Sequence, residues 1–307
     1  GQDEMYALAK RLGHSTWPMY TAGKHRTLFS GRLGAYRGTI PLNLSLRALS
    51  SLGYAYLRLL SLMRRVDKNS PWLSPRAQEL DSQSMGEWMR AHVRHPDAFS
   101  VFRIAVESIF AAHPDDISLL HALFYFRSGG GFFSLVESEG GAQQDRLQRG
   151  VQPLAEAYAK QLQQRGVQIF LNAPVCSVEQ AGRAVTVKSD TREWQAAAAI
   201  CAAPPILAHD IVFAPPLPEA KKALLNNLQP GCAIKCFAIY ETPFWRKQGW
   251  SGSAVSDVPP VHVCFDATPP DETRGILMGF IEGREGVKYT ELGESARRKA
   301  FLEALTN

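Results

Sequence analysis

Apolar residues recur at helical spacing through Leu46, Leu49, Leu52, Tyr56, Leu59, Leu60 and Met63, which predicts a long helix between residues 42 and 66. Asn43 or Ser45 is placed to cap its start. Arg64 and Arg65 suit its last turn, where the helix dipole favours cations. A surface helix lying on a membrane is one reading of this segment, and a helix packed on a core is the preferred one. The same spacing through Met5, Leu8, Ala9 and Leu12 predicts a helix at the start of the chain, stopped by Gly13. Val151, Leu154, Ala155, Tyr158 and Leu162 predict another over 151–165, ended by Gly166. Ser84-Met-Gly-Glu87 is a capping-box pattern ahead of Trp88 and Met89. Asp115 or Asp116 is placed to cap the apolar helix ISLLHALFYF, in which His121 reads as a core or boundary residue.

Elsewhere the period shortens. TLFSGRLGAYRG reads as a hairpin around Gly31 or Gly34. VQIFL, VCSVEQ and AVTVKS read as strands with a turn at Ala181-Gly182, and AAAAICAAPP reads as a buried strand broken by Pro204-Pro205. KKALLNNL reads as a short helix, and CAIKCFAIY, VHVCFD and ILMGFIEG as strands, the first buried on both faces. ELGESARRKAFLEALTN closes the chain as a helix. The expected class is α/β in a mixed α+β arrangement: part of a nucleotide-binding α/β domain, then a second sheet, mixed or antiparallel.

The 307 residues are 45% apolar and 21% charged, which leaves ample material for a core and excludes global disorder. The net charge of +5 is scattered in short pairs such as Lys221-Lys222 and Arg297-Arg298, which argues against nucleic acid as a partner. Five cysteines without a CxxC, Cys232 and Cys236 four apart with no histidine near that pair, predict buried free thiols in a reducing, cytoplasmic setting, and no metal. Gly129-Gly130-Gly131 follows a helix and lacks the lysine of a phosphate loop, so glycine flexibility at a helix end is the better account. No GxSxG or HExxH is present. The oddest residue is Lys235, a lysine inside an apolar strand. Unpaired burial would cost several kcal/mol, so it must reach solvent at a sheet edge or face an internal cavity.

Three stretches together resemble the flavin-containing monoamine oxidase family: EGGAQQDR at 139–146, AAPPILAHDIVFAPPLP at 202–218, and PGCAIKCFAIYETPFWRKQGWSG at 230–252. APV at 173–175, DATPP at 266–270 and LMGF at 277–280 add to the likeness. The resemblance implies a partial FAD/NAD(P)-binding, Rossmann-like domain (1–16 and 147–224) interleaved with a substrate domain of mixed sheet plus helices (17–146 and 225–307). It implies that the chain is an internal piece, inactive alone, without the family's glycine-rich first strand–helix and without its last flavin-covering segment.

By position, the resemblance makes Lys235 the lysine that holds a water near the reactive flavin nitrogen. It makes Val175 a backbone contact of the adenine part of FAD. Leu135, Val263 and Phe280 become substrate-cavity walls, with Leu135 at the gate, and Ser108 and Ile109 lie on a helix that also lines the cavity. Arg149 departs from the family, which usually has two small residues there. The implied activity is oxidation of an amine to an imine and then an aldehyde, with oxygen reduced to hydrogen peroxide. The alternatives are a non-catalytic carrier of the related prenyl-protein-carrier fold, or another FAD oxidase or desaturase of the superfamily. A homodimer is possible on this resemblance, and the amine, the mode of flavin attachment and any membrane association stay open.

Overall fold

The computed structural model describes residues 2–38 and 44–306. In chain order the elements are α1 (Asp3–Arg11), β1 (Thr16–Pro18), β2 (Lys24–Phe29), β3 (Arg32–Tyr36), α2 (Leu46–Met63), α3 (Ala77–Asp81), α4 (Met85–His92), α5 (Pro96–Phe110), α6 (Leu119–Ser128), α7 (Phe132–Val136), β4 (Asp145–Leu147) and α8 (Gln152–Gln164). They continue with β5 (Val175–Ala181), β6 (Ala184–Ser189), β7 (Glu193–Ala196), α9 (Pro205–Ala208), β8 (Val212–Ala214), α10 (Glu219–Asn227), β9 (Ala233–Tyr240), α11 (Phe244–Lys247), β10 (Trp250–Ser256), β11 (Val261–Asp266), β12 (Gly275–Glu282), α12 (Gly283–Glu291) and α13 (Glu294–Thr306). The chain divides into two compact units, Gly1–Leu154 with Gly231–Asn307, and Ala155–Pro230. No helix among the described residues is long and apolar enough to cross a membrane.

In the larger unit, α2 starts where Ser45 caps it, the hydroxyl accepting from the Ala48 amide at 3.2 Å; Asn43, the other candidate cap, lies outside the described residues. Its C-terminal carbonyls are closed by Arg127, whose guanidinium donates to Arg64 O at 2.9 Å. Ala48, Ala55, Leu59 and Met63 point into a core shared with Met85, Trp88 and Met89 of α4, Phe102 of α5 and Leu123 and Phe126 of α6. The capping box of α4 is complete: the Ser84 amide donates to Glu87 Oε2 at 2.8 Å and the Glu87 amide to Ser84 Oγ at 3.1 Å. The cap of α6 differs from expectation. Ser118 supplies it, because Asp115 and Asp116 sit in a preceding 3-10 turn and pair with Arg90 and Arg284. His121 is exposed, its ring beside Phe110, Phe124 and Tyr125.

This helical layer covers one face of a six-stranded sheet ordered β3-β2-β10-β11-β12-β9. Neighbours are antiparallel except β2 and β10. On the other face α13 packs, and Gly279 makes room for it, since a Cβ there would lie 2.7 Å from the Phe301 ring. β9 is an edge strand, which corrects the expectation of burial on both faces. Ile234, Cys236, Ala238 and Tyr240 pack with Ile281 and Phe301, whereas Ala233, Lys235, Phe237 and Ile239 alternate on the exposed side.

Asp266, at the end of β11, ties this unit together. Its carboxylate accepts from Trp245 Nε1 at 2.8 Å, from Arg246 Nε at 2.7 Å and Nη2 at 3.0 Å, and from the Thr268 amide at 2.8 Å. Arg246 also reaches Glu272 at 2.7 Å and stacks 3.9 Å from the Tyr20 ring. The PFWR and DATPP stretches are therefore two halves of one polar clasp. Gly252 lets it close: it has φ of 75°, and a Cβ there would lie 2.7 Å from Trp245 Nε1.

The smaller unit holds a four-stranded sheet ordered β7-β6-β5-β8, with β5 and β8 parallel and the other pairs antiparallel. VQIFL and AAAAICAAPP are not strands. Both are apolar enough, but apart from Ala196, which ends β7 opposite Val185, no strand among the described residues pairs with them, and Leu171 and Ile200 stand exposed. All five cysteines are free; only Cys264 is buried, whereas Cys176 and Cys201 are exposed, so the buried-thiol expectation holds for one of them.

The Asp266 carboxylate has no exposed side-chain surface, so removing it takes the buried partner from Arg246, which keeps only Glu272, and strands the Trp245 donor. Asp266→Ala is expected to lower stability by about 3–5 kcal/mol, read from the midpoint and slope of denaturant unfolding.

Candidate active site

Strand register builds the site. Val263 on β11 pairs with Phe280 on β12, and Phe280 pairs with Lys235 on β9, which gives a row of three side chains across three strands. Residues opposite one another share a face. The Lys235 ammonium lies 5.1 Å from the centre of the Phe280 ring. Val263 is buried in the helical core layer, and Phe280, Ile109 and Leu135 pack against that layer. Gly129 gives Leu135 its place, since a Cβ there would lie 2.5 Å from Leu135 Cδ2. Ser108, next to Ile109 on α5, has a buried hydroxyl with no partner at hydrogen-bond distance. The structure thus gathers Val263, Phe280, Ile109 and Leu135 in one apolar layer, with Lys235 at its rim. Val175 lies in the smaller unit, where it opens β5, pairs with Ser189, and is more than a third exposed.

Lys235 also lines an open cleft of about 950 Å³ in the larger unit. The opposite walls come from α1, the β1–β4 ribbon and the turn after Ala267. The ribbon is held by Thr16–Leu147, Trp17–Arg146 and Pro18–Asp145 pairing, and Tyr6 of α1 donates to Asp145 at 2.8 Å. That bond raises the Tyr6 pKa, because it favours the neutral phenol. Arg146 donates to Ala267 O at 3.2 Å and lies 5.4 Å from the Trp17 ring; burial lowers its pKa. Gln2 and Trp17 carry no mark in the sequence, and Arg146, the last residue of EGGAQQDR, has no site role there. The place of all three beside Lys235 depends on contacts between residues more than eighty positions apart.

Arg149 and Gly150 follow the ribbon with φ of 65° and 82°. The departure noted in the sequence therefore falls on a left-handed position where a glycine is at ease. On the apolar face, Glu282 lies two residues beyond Phe280. Burial pushes its pKa up to about 7, helped by the charge of Glu107 and opposed by Ser108 and Lys235. The Ser108 hydroxyl is near enough to favour the carboxylate but is not in direct hydrogen-bond contact with it.

Two outcomes follow for stability. Arg149→Gly relieves a left-handed strain of about 1–2 kcal/mol at some entropic cost, so a net gain somewhat below that range is expected in denaturant unfolding. Glu282 binds its proton more tightly folded than unfolded. Its contribution is complete below about pH 4.5 and is lost as pH rises through about 7. Unfolding of Glu282→Gln across that window should lack the decline that the parent chain carries; parallel pH profiles for the two proteins would refute the assignment.

The profile of the family described as "Flavin containing amine oxidoreductase" matches residues 1–307. The Mycobacterium tuberculosis protein named flavin-containing monoamine oxidase AofH is 40% identical over 283 residues, which are 92% of this chain and 62% of that protein. The Dictyostelium discoideum protein named flavin-containing monoamine oxidase A is 31% identical over 96% of this chain and 65% of its own length. The chain thus spans less than two thirds of these relatives. Wild-type putrescine oxidase bound to putrescine superposes with a TM-score of 0.92 at 27% identity, covering 99% of this chain and 67% of that one. With the Val263–Phe280–Lys235 row and the PFWR–DATPP clasp in place, the chain belongs to the flavin containing amine oxidoreductase family.

Proposed function

We propose that the protein of which this chain is part, or the whole, oxidises a primary amine with an apolar body, using FAD and oxygen. The observation that carries the reading is Lys235 at the junction of an apolar layer and a roomy cleft. The cleft suits a flavin ring: it offers flat apolar surface from Trp17, Ala267 and Ile276, and three cationic side chains, Lys235, Arg146 and Arg149, for a group that gains negative charge on reduction. FAD, when bound, supplies the acceptor that takes a hydride equivalent from the amine and passes the electrons to oxygen, giving hydrogen peroxide. The imine then hydrolyses to an aldehyde and ammonia.

The chain's own groups orient and shield. Val263, Phe280, Ile109 and Leu135 present an apolar wall that keeps water from the reacting carbon. Leu135, on the short helix α7, serves as the gate. With FAD bound, Lys235 would donate to a water and hold it near the reactive flavin nitrogen, and the flavin would supply the electrons that reduce oxygen. We assign 147–224 with 1–16 to nucleotide binding and 17–146 with 225–307 to substrate binding, Val175 meeting the adenine half through its backbone. Five unpaired thiols support a reducing, cytoplasmic compartment.

The test separates the two half-reactions in the longest available form of the protein. Lys235→Met keeps much of the side-chain volume and removes the donors. Rapid mixing is expected to show flavin reoxidation by oxygen slowed at least tenfold, about 1.4 kcal/mol, with reduction by amine changed much less. Reoxidation at the parent rate would remove Lys235 from the mechanism.

A further inference from the structure

α2 completes the core with one face and leaves an unusual opposite face. Taken at 3.6 residues per turn, Leu46, Ser50, Tyr54, Leu57 and Ser61 fall on one arc, and Arg47, Arg58 and Arg65 fall along its edge. Leu46 is 85% exposed, Leu57 66% and Tyr54 49%, and the arginines are exposed as well. The buried residues Ala48, Ala55, Leu59 and Met63 lie on the far side, so the helix is held by its core face and its outer face has no work in packing. The segment from Leu46 to Arg65 contains no Asp or Glu. The first carboxylate after it, Asp67, is engaged by the amides of Asn69 and Ser70.

We propose that this outer face of α2 docks on an anionic lipid surface, with the helix lying flat, Leu46, Tyr54 and Leu57 entering the headgroup boundary, and Arg47, Arg58, Arg64 and Arg65 meeting lipid phosphates. Charge complementarity selects this occupant. An apolar stripe edged by arginines and free of carboxylates matches a negatively charged lipid–water boundary. There the arginine stems pack on the acyl region while their guanidinium groups reach the phosphates. A leucine-lined protein groove would reward the stripe but not the arginines. This inference does not depend on the amine-oxidase reading, because α2's outer face is remote in sequence from Lys235 and shares no residue with its cleft.

The experiment is flotation of the purified protein with phosphatidylcholine vesicles, with and without phosphatidylglycerol. Binding is expected only with the anionic lipid, and should weaken as salt is added. Each cation near such a surface contributes about fivefold in affinity, so the double variant Arg58→Glu/Arg65→Glu should lose at least about 25-fold, and Leu57→Glu should also release the protein. The substituted residues are exposed, so near-UV dichroism and the melting midpoint should hold, which confirms that loss of binding is not loss of fold. Equal binding to both vesicle types, no binding, or variants that bind like the parent would overturn the proposal. So would a self-associated parent that ignores vesicles and becomes monomeric on Leu57→Glu, which would make the face an interface between copies of the chain.

Discussion

Asp266 has no exposed side-chain surface and four donors around its two oxygens, and the geometry of the site hangs on that carboxylate. A lone buried charge would cost several kcal/mol; with Arg246 bidentate, Trp245 donating and the Thr268 amide turned inward, the cost is offset and three segments are fixed at once. One is α11, which carries three of the four donors. Another is the C-terminal end of β11, three residues from Val263. The last is the turn through Ala267, Pro269 and Asp271, which walls the Lys235 cleft. Thr268 passes the order on by accepting from the Ile276 amide at 3.0 Å, which pins the start of β12 and thereby the register that sets Phe280 opposite Lys235.

The two faces of the sheet follow different rules. Toward α13 the contacts are apolar and Gly279 is shaped to receive Phe301. Toward α5 the layer is apolar at Val263 and Phe280 but polar at its end, where Glu282 meets the influence of Glu107, Ser108 and Lys235. Glu107 is neutralised by Arg103 at 2.7 Å, four residues earlier on the same helix. Glu282 has no such ion pair among the described residues, and burial is the main influence on its protonation.

What the sequence made legible is what neighbours along the chain decide. The capping box at Ser84 and Glu87, the Ser45 cap, the β2–β3 hairpin and the strands around Ala181-Gly182 depend on residues a few positions apart. The errors are non-local. VQIFL and AAAAICAAPP have strand composition, yet a strand exists only beside a partner. Asp115 and Asp116 are good caps in isolation, but cross-chain arginines claim them and leave α6 to Ser118. Within the site, Lys235 was conspicuous as a cation in an apolar strand, whereas Gln2 and Trp17 have ordinary surroundings in sequence, and they and Arg146 gain a place in the site only when α1 and the β1–β4 ribbon meet β9 across the cleft.

The edge position of β9 raises a competing account of Lys235. A lysine on an edge strand often deters pairing with another chain, and that role needs the ammonium to stand in water beyond the edge. Here the residue is exposed, but its ammonium leans back over Phe280, toward β12, at 5.1 Å from the ring centre. The neighbours on its face, Phe237 and Ile239, are apolar and half or more exposed, so the strand is not built to repel a partner. The ring contact contributes about 0.5–1 kcal/mol at an exposed site, less than the roughly 2 kcal/mol of rotamer entropy a lysine carries. Phe280 alone therefore biases Lys235 without fixing it. The ammonium is thus left free to turn between the apolar layer around Phe280 and the cleft walled by Trp17 and Ala267, both of which Lys235 borders.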